Sequence, residues 1–163
     1  MNSLQTSLIE TIEKVVRKQL KESQGQFQGQ SDLAIPIGIS ARHVHLSRED
    51  LDVLFGKGYE LHPKKELMGG QYAAEECVTV VGINLRVLEK VRILGPVRSK
   101  TQVELAKTDA IRLGILAPIR ESGDIAGSAS VTLVGPKGAL FLKEGCIIAK
   151  RHIHMNPSDA KKL

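Results

Sequence analysis

Arg42-His43-Val44-His45-Leu46-Ser47, followed by Asp50, recurs as Arg151-His152-Ile153-His154-Met155-Asn156, followed by Asp159, at a constant offset of 109 residues. Four of the five histidines lie in these two pairs. On a strand, side chains at i and i+2 leave the same face, so two imidazoles can reach one ion. Neutral imidazole is the commonest ligand for zinc, and a catalytic zinc takes three protein ligands while one position stays open. Each pair therefore lacks at least one partner. Glu104 in TQVEL is the best third ligand, because a charge between Val103 and Leu105 in a β run needs a reason; Glu66, Glu75 and Glu76 are weaker alternatives. The competing reading of Glu104 is the exposed face of a half-buried strand. For one isolated His-x-His, a polar pair beside a turn is as good an account as a metal, but duplication with flanking Arg and Asp favours the metal. His62, before Pro63 in a Lys-rich turn, reads as an ordinary exposed histidine.

A second chemistry is anion binding. Lys64, Lys65, Arg86, Lys90, Arg92, Arg98, Lys100 and Lys137 outnumber nearby acids, and the formal charge is +5. Arg98, after Gly95-Pro96-Val97 at a strand end, can present a planar fork to phosphate. Only 3% of residues are aromatic, so a stacking platform for single-stranded nucleic acid is excluded, and a phosphorylated small molecule fits better.

The elements that must hold these residues are mostly β. From Leu33 onward short apolar runs, LAIPIGI, ECVTVVGI, VRIL, TQVELA, AIRLGI, SVTLVG, ALFL and CIIAKRHIHM, alternate with Gly, Pro and charged turns. GPKG at 135–138 predicts a hairpin. The helices that parallel crossovers require are missing, which favours small barrels or sandwiches. In each repeat a β run ends in the His pair; Ser47 or Asn156 then caps a short helix with the Asp at its third position and Pro157 at the first position of the second copy. Three regions are expected: residues 1–32, a helix and linker; 33–150, the β-barrel region with the first His pair; and 151–163, the start of a second unit that stops almost where it begins. Within the first, Leu4, Leu8, Ile12, Val15, Val16 and Leu20 form one helical stripe. SQGQFQGQSD then reads as a flexible tether. The helix is expected to dock or oligomerise, so a homo-oligomer is expected, or to insert into a partner's groove.

With 163 residues and 42% hydrophobic content, one or two compact domains are expected. No run approaches a membrane span and no secretory signal is visible, so a soluble cytoplasmic protein is expected. Cys77 and Cys146, far apart, read as buried hydrophobes of a reducing compartment.

IPIGISARHVHLSREDLDVLFG, LHPKKEL, VRILGPVRSKTQVEL and AKRHIHM, in this order, closely resemble the PduL-type phosphotransacylases, or phosphate propanoyltransferases, over roughly residues 34 to 160. The resemblance implies two small β-barrel domains sharing a site with two zinc ions. It implies that His43, His45 and Glu104 hold one zinc, and that His152 and His154 hold the other with a further histidine that has no counterpart here. It implies Arg98 as the phosphate contact and Ser40, Lys65, Arg92 and Leu94 around coenzyme A. The implied reaction interconverts acyl-CoA, propanoyl or acetyl, plus phosphate and acyl phosphate plus CoA. Residues 1–32 resemble the encapsulation tag of family members that work in bacterial microcompartments, as in 1,2-propanediol catabolism, where shell or core proteins are the partners. Two rival readings are a cupin-like metalloenzyme, since His43-x-His45-x-x-x-Glu49 before Gly56 has cupin spacing, and a metal-stabilised binding module on a scaffold. The first is weakened because SREDLDVLF reads as a capped helix. An amidohydrolase would need a full β/α barrel, for which the chain is too short.

Overall fold

Buried positions alternate with accessible ones along residues 74–81 and 91–95, as strands with one face in a core require. The computed structural model describes residues 37–161. The amphipathic stripe and tether expected over residues 1–32 lie outside the described residues. The elements are β1 (His43–His45), α1 (Arg48–Phe55), β2 (Pro63–Glu66), β3 (Tyr72–Val81), β4 (Val87–Gly95), β5 (Gln102–Glu104), α2 (Lys107–Leu113), β6 (Ile119–Arg120), β7 (Ala129–Val134), β8 (Ala139–Ala149) and α3 (Pro157–Ala160). No helix among them is long and apolar enough to cross a membrane.

Strands β3, β4, β1, β5, β8 and β7 pair in that order, and β7 returns to β3, closing a six-stranded barrel. A barrel this small is filled by side chains. Val44, Val80, Val91, Ile93, Val103, Leu133 and Cys146 are buried within it, joined by Leu51 and Leu54 from α1. The mostly β, barrel-based reading of the sequence therefore stands, and among the described residues there is one closed barrel. Both cysteines are free, but only Cys146 is buried; its thiol is pushed up to about 12 by desolvation, as suits an inert core residue.

The GPKG hairpin forms as expected, with Val134 opposite Ala139 and the Gly135 N–H donating to the Gly138 carbonyl at 2.8 Å. Its glycines let the end of α1 come close: a Cβ on Gly135 would lie 2.6 Å from the Leu54 carbonyl oxygen. Three sequence expectations are corrected. AIRLGI is not a strand; Ala110 and Leu113 are buried three residues apart on α2, which ends at Gly114 in the left-handed conformation. In LAIPIGI, residues 37–39 form no strand, and Ile37 and Ile39 are almost wholly exposed. The strand expected to run through CIIAKRHIHM stops at Ala149, so His152 and His154 stand beyond it. Its neighbour explains the stop: β6 ends at Arg120, opposite Ala149, and after the Lys150 N–H donates to Arg120 the strand has no edge left to follow.

Candidate functional site

The site begins with the register of β1. This three-residue strand lies between β4, to which it is parallel, and β5, to which it is antiparallel. His43 is level with Arg92 on one side and Glu104 on the other; His45 is level with Gln102. Alternation turns Val44, Ile93 and Val103 into the core, where all three are fully buried. It therefore turns His43, His45, Arg92, Leu94, Gln102 and Glu104 to the outer face.

The strand-to-helix corner is fastened by the residues the repeat singled out. The Ser47 side chain accepts from the Asp50 N–H at 3.1 Å, capping α1. The Asp50 carboxylate accepts from the Thr101 hydroxyl, which in turn accepts from the Ser47 N–H at 2.9 Å, stapling the corner to the start of β5. Arg42 donates to Asp109 of α2 at 2.6 Å. The Arg98 N–H donates to the Leu46 carbonyl at 2.8 Å, which holds Arg98 just past the histidines. In the second copy α3 follows Asn156 with Pro157 at its first turn, but the Asn156 side chain makes no capping hydrogen bond.

The donor atoms of His43, His45 and Glu104 all lie within 4.8 Å of one another. His43 Nδ1 lies 2.9 Å from the Ala41 carbonyl, so this nitrogen carries the proton and Nε2, 3.4 Å from Glu104 Oε2, points to the cluster. A carbonyl fixing one imidazole nitrogen so that the other can ligate is the usual support of a metal-bound histidine. His45 is 2% exposed, and its Nδ1 is buried with no hydrogen-bond partner. A buried imidazole beside a second imidazole and a carboxylate, with one donor atom of each close together, is a donor set that suits zinc, so the residues fit the ion. The second pair repeats the local geometry. His152 Nδ1 lies 2.7 Å from the Lys150 carbonyl, again two residues back, and the ring centroids are 4.7 Å apart against 5.1 Å in the first pair. Unlike the first pair it is exposed, with the two Nε2 atoms 3.0 Å apart.

Electrostatics agree with a site for a cation. Burial pushes Glu104 upward, but the hydrogen bond and charge of His43, with the Ser122 hydroxyl, hold its carboxyl down at about 2. Burial, then Arg98 and His43, lower His45 to about 4, against weaker pulls from Glu104 and the Leu94 carbonyl. Burial also lowers His43, but Glu104 and the Ala41 carbonyl more than offset it and its value ends above the usual one. A cation therefore competes with a proton at His43, whose value is raised, more than at His45, whose value is lowered. Zinc affinity is accordingly expected to fall about tenfold per pH unit below the raised His43 value and to be flat above it. Chelator-competition titrations between roughly pH 5 and pH 8 check this; an affinity independent of pH would detach His43 from the ion.

A cavity of about 1030 Å³ brings the pieces together, large enough for a sizeable organic ligand. Both histidine pairs, Glu104, Arg98, Arg92, Leu94 and Ser40 line it. Lys65 does not; it is exposed on β2, next to Glu66, which does. Arg98 donates from Nη1 to Ser122 Oγ at 3.1 Å and from Nη2 toward Gln71 Oε1 at 3.5 Å. Burial lowers its pKa against the opposing pull of Glu104, and the guanidinium stays cationic regardless. Arg92 spends one Nη1 on the Ala74 and Glu75 carbonyls, at 2.9 and 2.7 Å, where β3 bulges. Of the weaker glutamates, Glu76 belongs elsewhere: it is buried against the Tyr59 hydroxyl at 3.0 Å and His62 Nδ1 at 2.7 Å. The His62 side chain is 67% exposed, as expected, yet it is anchored through this carboxylate. Glu49 sits on α1, where it cannot complete a cupin strand.

Sequence reasoning missed Gln102, Ser122 and Gln71. Gln102 carried a readable signal, since TQVEL puts it on the same strand face as Glu104. Ser122, in a turn, and Gln71, after Gly69-Gly70, carried none.

Comparison with known sequences gives a consistent answer. Residues 36–163 match the sequence model of the family described as phosphate propanoyltransferase. A phosphate propanoyltransferase of Lachnoclostridium phytofermentans is 58% identical over 157 residues, covering 96% of this chain and 72% of that protein. One from Thermotoga maritima is 59% identical over 128 residues, 78% of this chain and 60% of that protein. One from Listeria monocytogenes is 48% identical over 162 residues, 99% and 70% respectively. The chain thus spans between three fifths and three quarters of the length of these relatives.

Proposed function

The chain belongs to the phosphate propanoyltransferase family, and from that premise we propose that its cavity moves an acyl group between coenzyme A and phosphate with zinc bound at His43, His45 and Glu104. The observation that carries this reading is the convergence of the His43–His45–Glu104 cluster and Arg98 in one cavity. When bound, zinc supplies Lewis acidity to the thioester carbonyl or the departing thiolate. His152 and His154, on the same cavity, offer two donors for a second ion.

In the reaction a phosphate oxygen forms a bond to the acyl carbon, the carbon–sulfur bond breaks, and the CoA thiolate takes up a proton. Phosphate is already ionised near neutrality, so no protein nucleophile is needed. What the chain must do is hold two anionic reactants in line against their repulsion. Arg98, oriented by Ser122 and Gln71, takes phosphate through the remaining donors of its fork. We assign Ser40, Arg92 and Leu94, which line the cavity, to coenzyme A, and Lys65, exposed on β2 outside the lining, to its nucleotide phosphates. Thiol release from propanoyl-CoA by the zinc-supplemented chain is expected to require phosphate; release at the same rate without phosphate would leave a thioesterase and end this reading.

The location reading concerns residues 1–32, which resemble an encapsulation tag and fall largely within the Lachnoclostridium and Listeria matches, given their coverage of 96% and 99% of the chain. The proposal is a cytoplasmic enzyme of propanediol-type catabolism carried into a microcompartment. A fluorescent protein fused to residues 1–32 is expected to co-localise with shells; diffuse fluorescence in shell-forming cells would refute the tag.

A further inference from the structure

We propose that Gln102 and Ser122 are positioning residues that fix Glu104 as a one-oxygen metal ligand and join it to Arg98, an inference that rests on the metal reading above. Gln102 is 2% exposed, so its carboxamide must find partners within the protein. Its Oε1 accepts the Gly123 N–H at 2.7 Å, which settles the amide orientation because only the oxygen can accept there. Both Nε2 protons are then directed to the site, one to Glu104 Oε1 at 2.6 Å and one to Ser122 Oγ at 3.0 Å.

Ser122 is constrained in the same way. Its Oγ accepts from Gln102 and from Arg98 Nη1, neither of which can accept in return. Its own proton therefore goes to Glu104 Oε1, 3.1 Å away. Glu104 Oε1 receives two donors and is saturated, while Oε2 faces His43 Nε2. The carboxylate cannot rotate or offer both oxygens without breaking two hydrogen bonds. The chain Arg98 to Ser122 to Glu104 also means that the arginine assigned to phosphate and the carboxylate assigned to the ion share one hydroxyl. Loss of that hydroxyl should disturb both.

The test uses the full chain and two readouts: zinc affinity by chelator competition, and KM for phosphate against kcat at saturating zinc. Gln102→Leu is expected to weaken zinc binding by about tenfold or more, the range found when partners of metal ligands are removed. Ser122→Ala is expected to weaken it by a smaller factor and to raise KM for phosphate more than it lowers kcat, with Ser122→Thr restoring both because it keeps the hydroxyl. Ser122 is exposed, so this pair carries the test even if the Gln102 variant does not fold. Wild-type zinc affinity and phosphate KM in Ser122→Ala would overturn the proposal, since a merely structural serine would change neither. A wild-type chain that binds no zinc would instead overturn the metal reading itself.

Discussion

His43→Ala, loaded in excess zinc, is expected to lose about a thousand-fold of phosphate-dependent thiol release, because polarisation of the reacting oxygen or sulfur is worth several kcal/mol and each 1.4 kcal/mol is tenfold. The position explains why no neighbour can substitute. His43 sits opposite Glu104 in the β1–β5 register, its Nδ1 is committed to the Ala41 carbonyl, and its Nε2 is the donor aimed at the cluster. Removing it leaves His45 and Glu104, two ligands where a catalytic zinc takes three. It also removes the partner that holds the buried Glu104 carboxyl down at about 2, so the remaining ligand becomes easier to protonate. Zinc content by mass spectrometry should fall with activity. His62→Ala, on an exposed ring outside the cavity, should stay within a few-fold of wild type. A zinc-free His43→Ala protein with wild-type turnover would remove the ion from catalysis.

The histidine pairs could be read because they are doubly marked, by spacing and by repetition. Period-2 spacing placed His43 and His45 on one face, and the Asp at a fixed distance, Asp50, proved to fasten the corner through Thr101. What spacing could not supply was register. That Glu104 is level with His43, and not two residues away, depends on how β5 closes the barrel between β1 and β8, a contact between segments about sixty residues apart in the chain. The same limit misled the reading of AIRLGI, a short apolar run equally compatible with strand and helix, where packing of Ala110 and Leu113 and the turn at Gly114 decided for helix. It also misplaced the second histidine pair on a strand, because composition says nothing of where a neighbouring strand runs out. Ser122 was invisible for a further reason: a serine in a turn acquires its role only through Arg98, Gln102 and Glu104, all on a segment that lies 18 to 24 residues earlier in the chain.

Arg98→Ala is expected to lower kcat/KM for phosphate by about a hundred-fold or more, the order seen when a positioned donor to developing charge is lost, with zinc content unchanged. Two features make Arg98 the cation to test. Its backbone is tied to Leu46 at the end of the histidine strand, so its guanidinium reaches the cavity beside the cluster. Its fork is held by Ser122 and Gln71, which reduces the entropy lost when an anion docks. Arg92, by contrast, is already committed to two carbonyls of β3 and is less free to follow phosphate. Arg98→Lys keeps the charge but not the planar fork. If bidentate geometry matters, Lys should recover only part of the loss; if charge alone matters, it should recover most of it. The split between parameters separates the arginine from the ion. An Arg98→Ala defect that raising phosphate largely overcomes, in protein holding its full zinc, assigns the residue to phosphate; a defect that follows zinc loss instead would mean that Arg98 acts through Ser122 on Glu104 and not on the substrate.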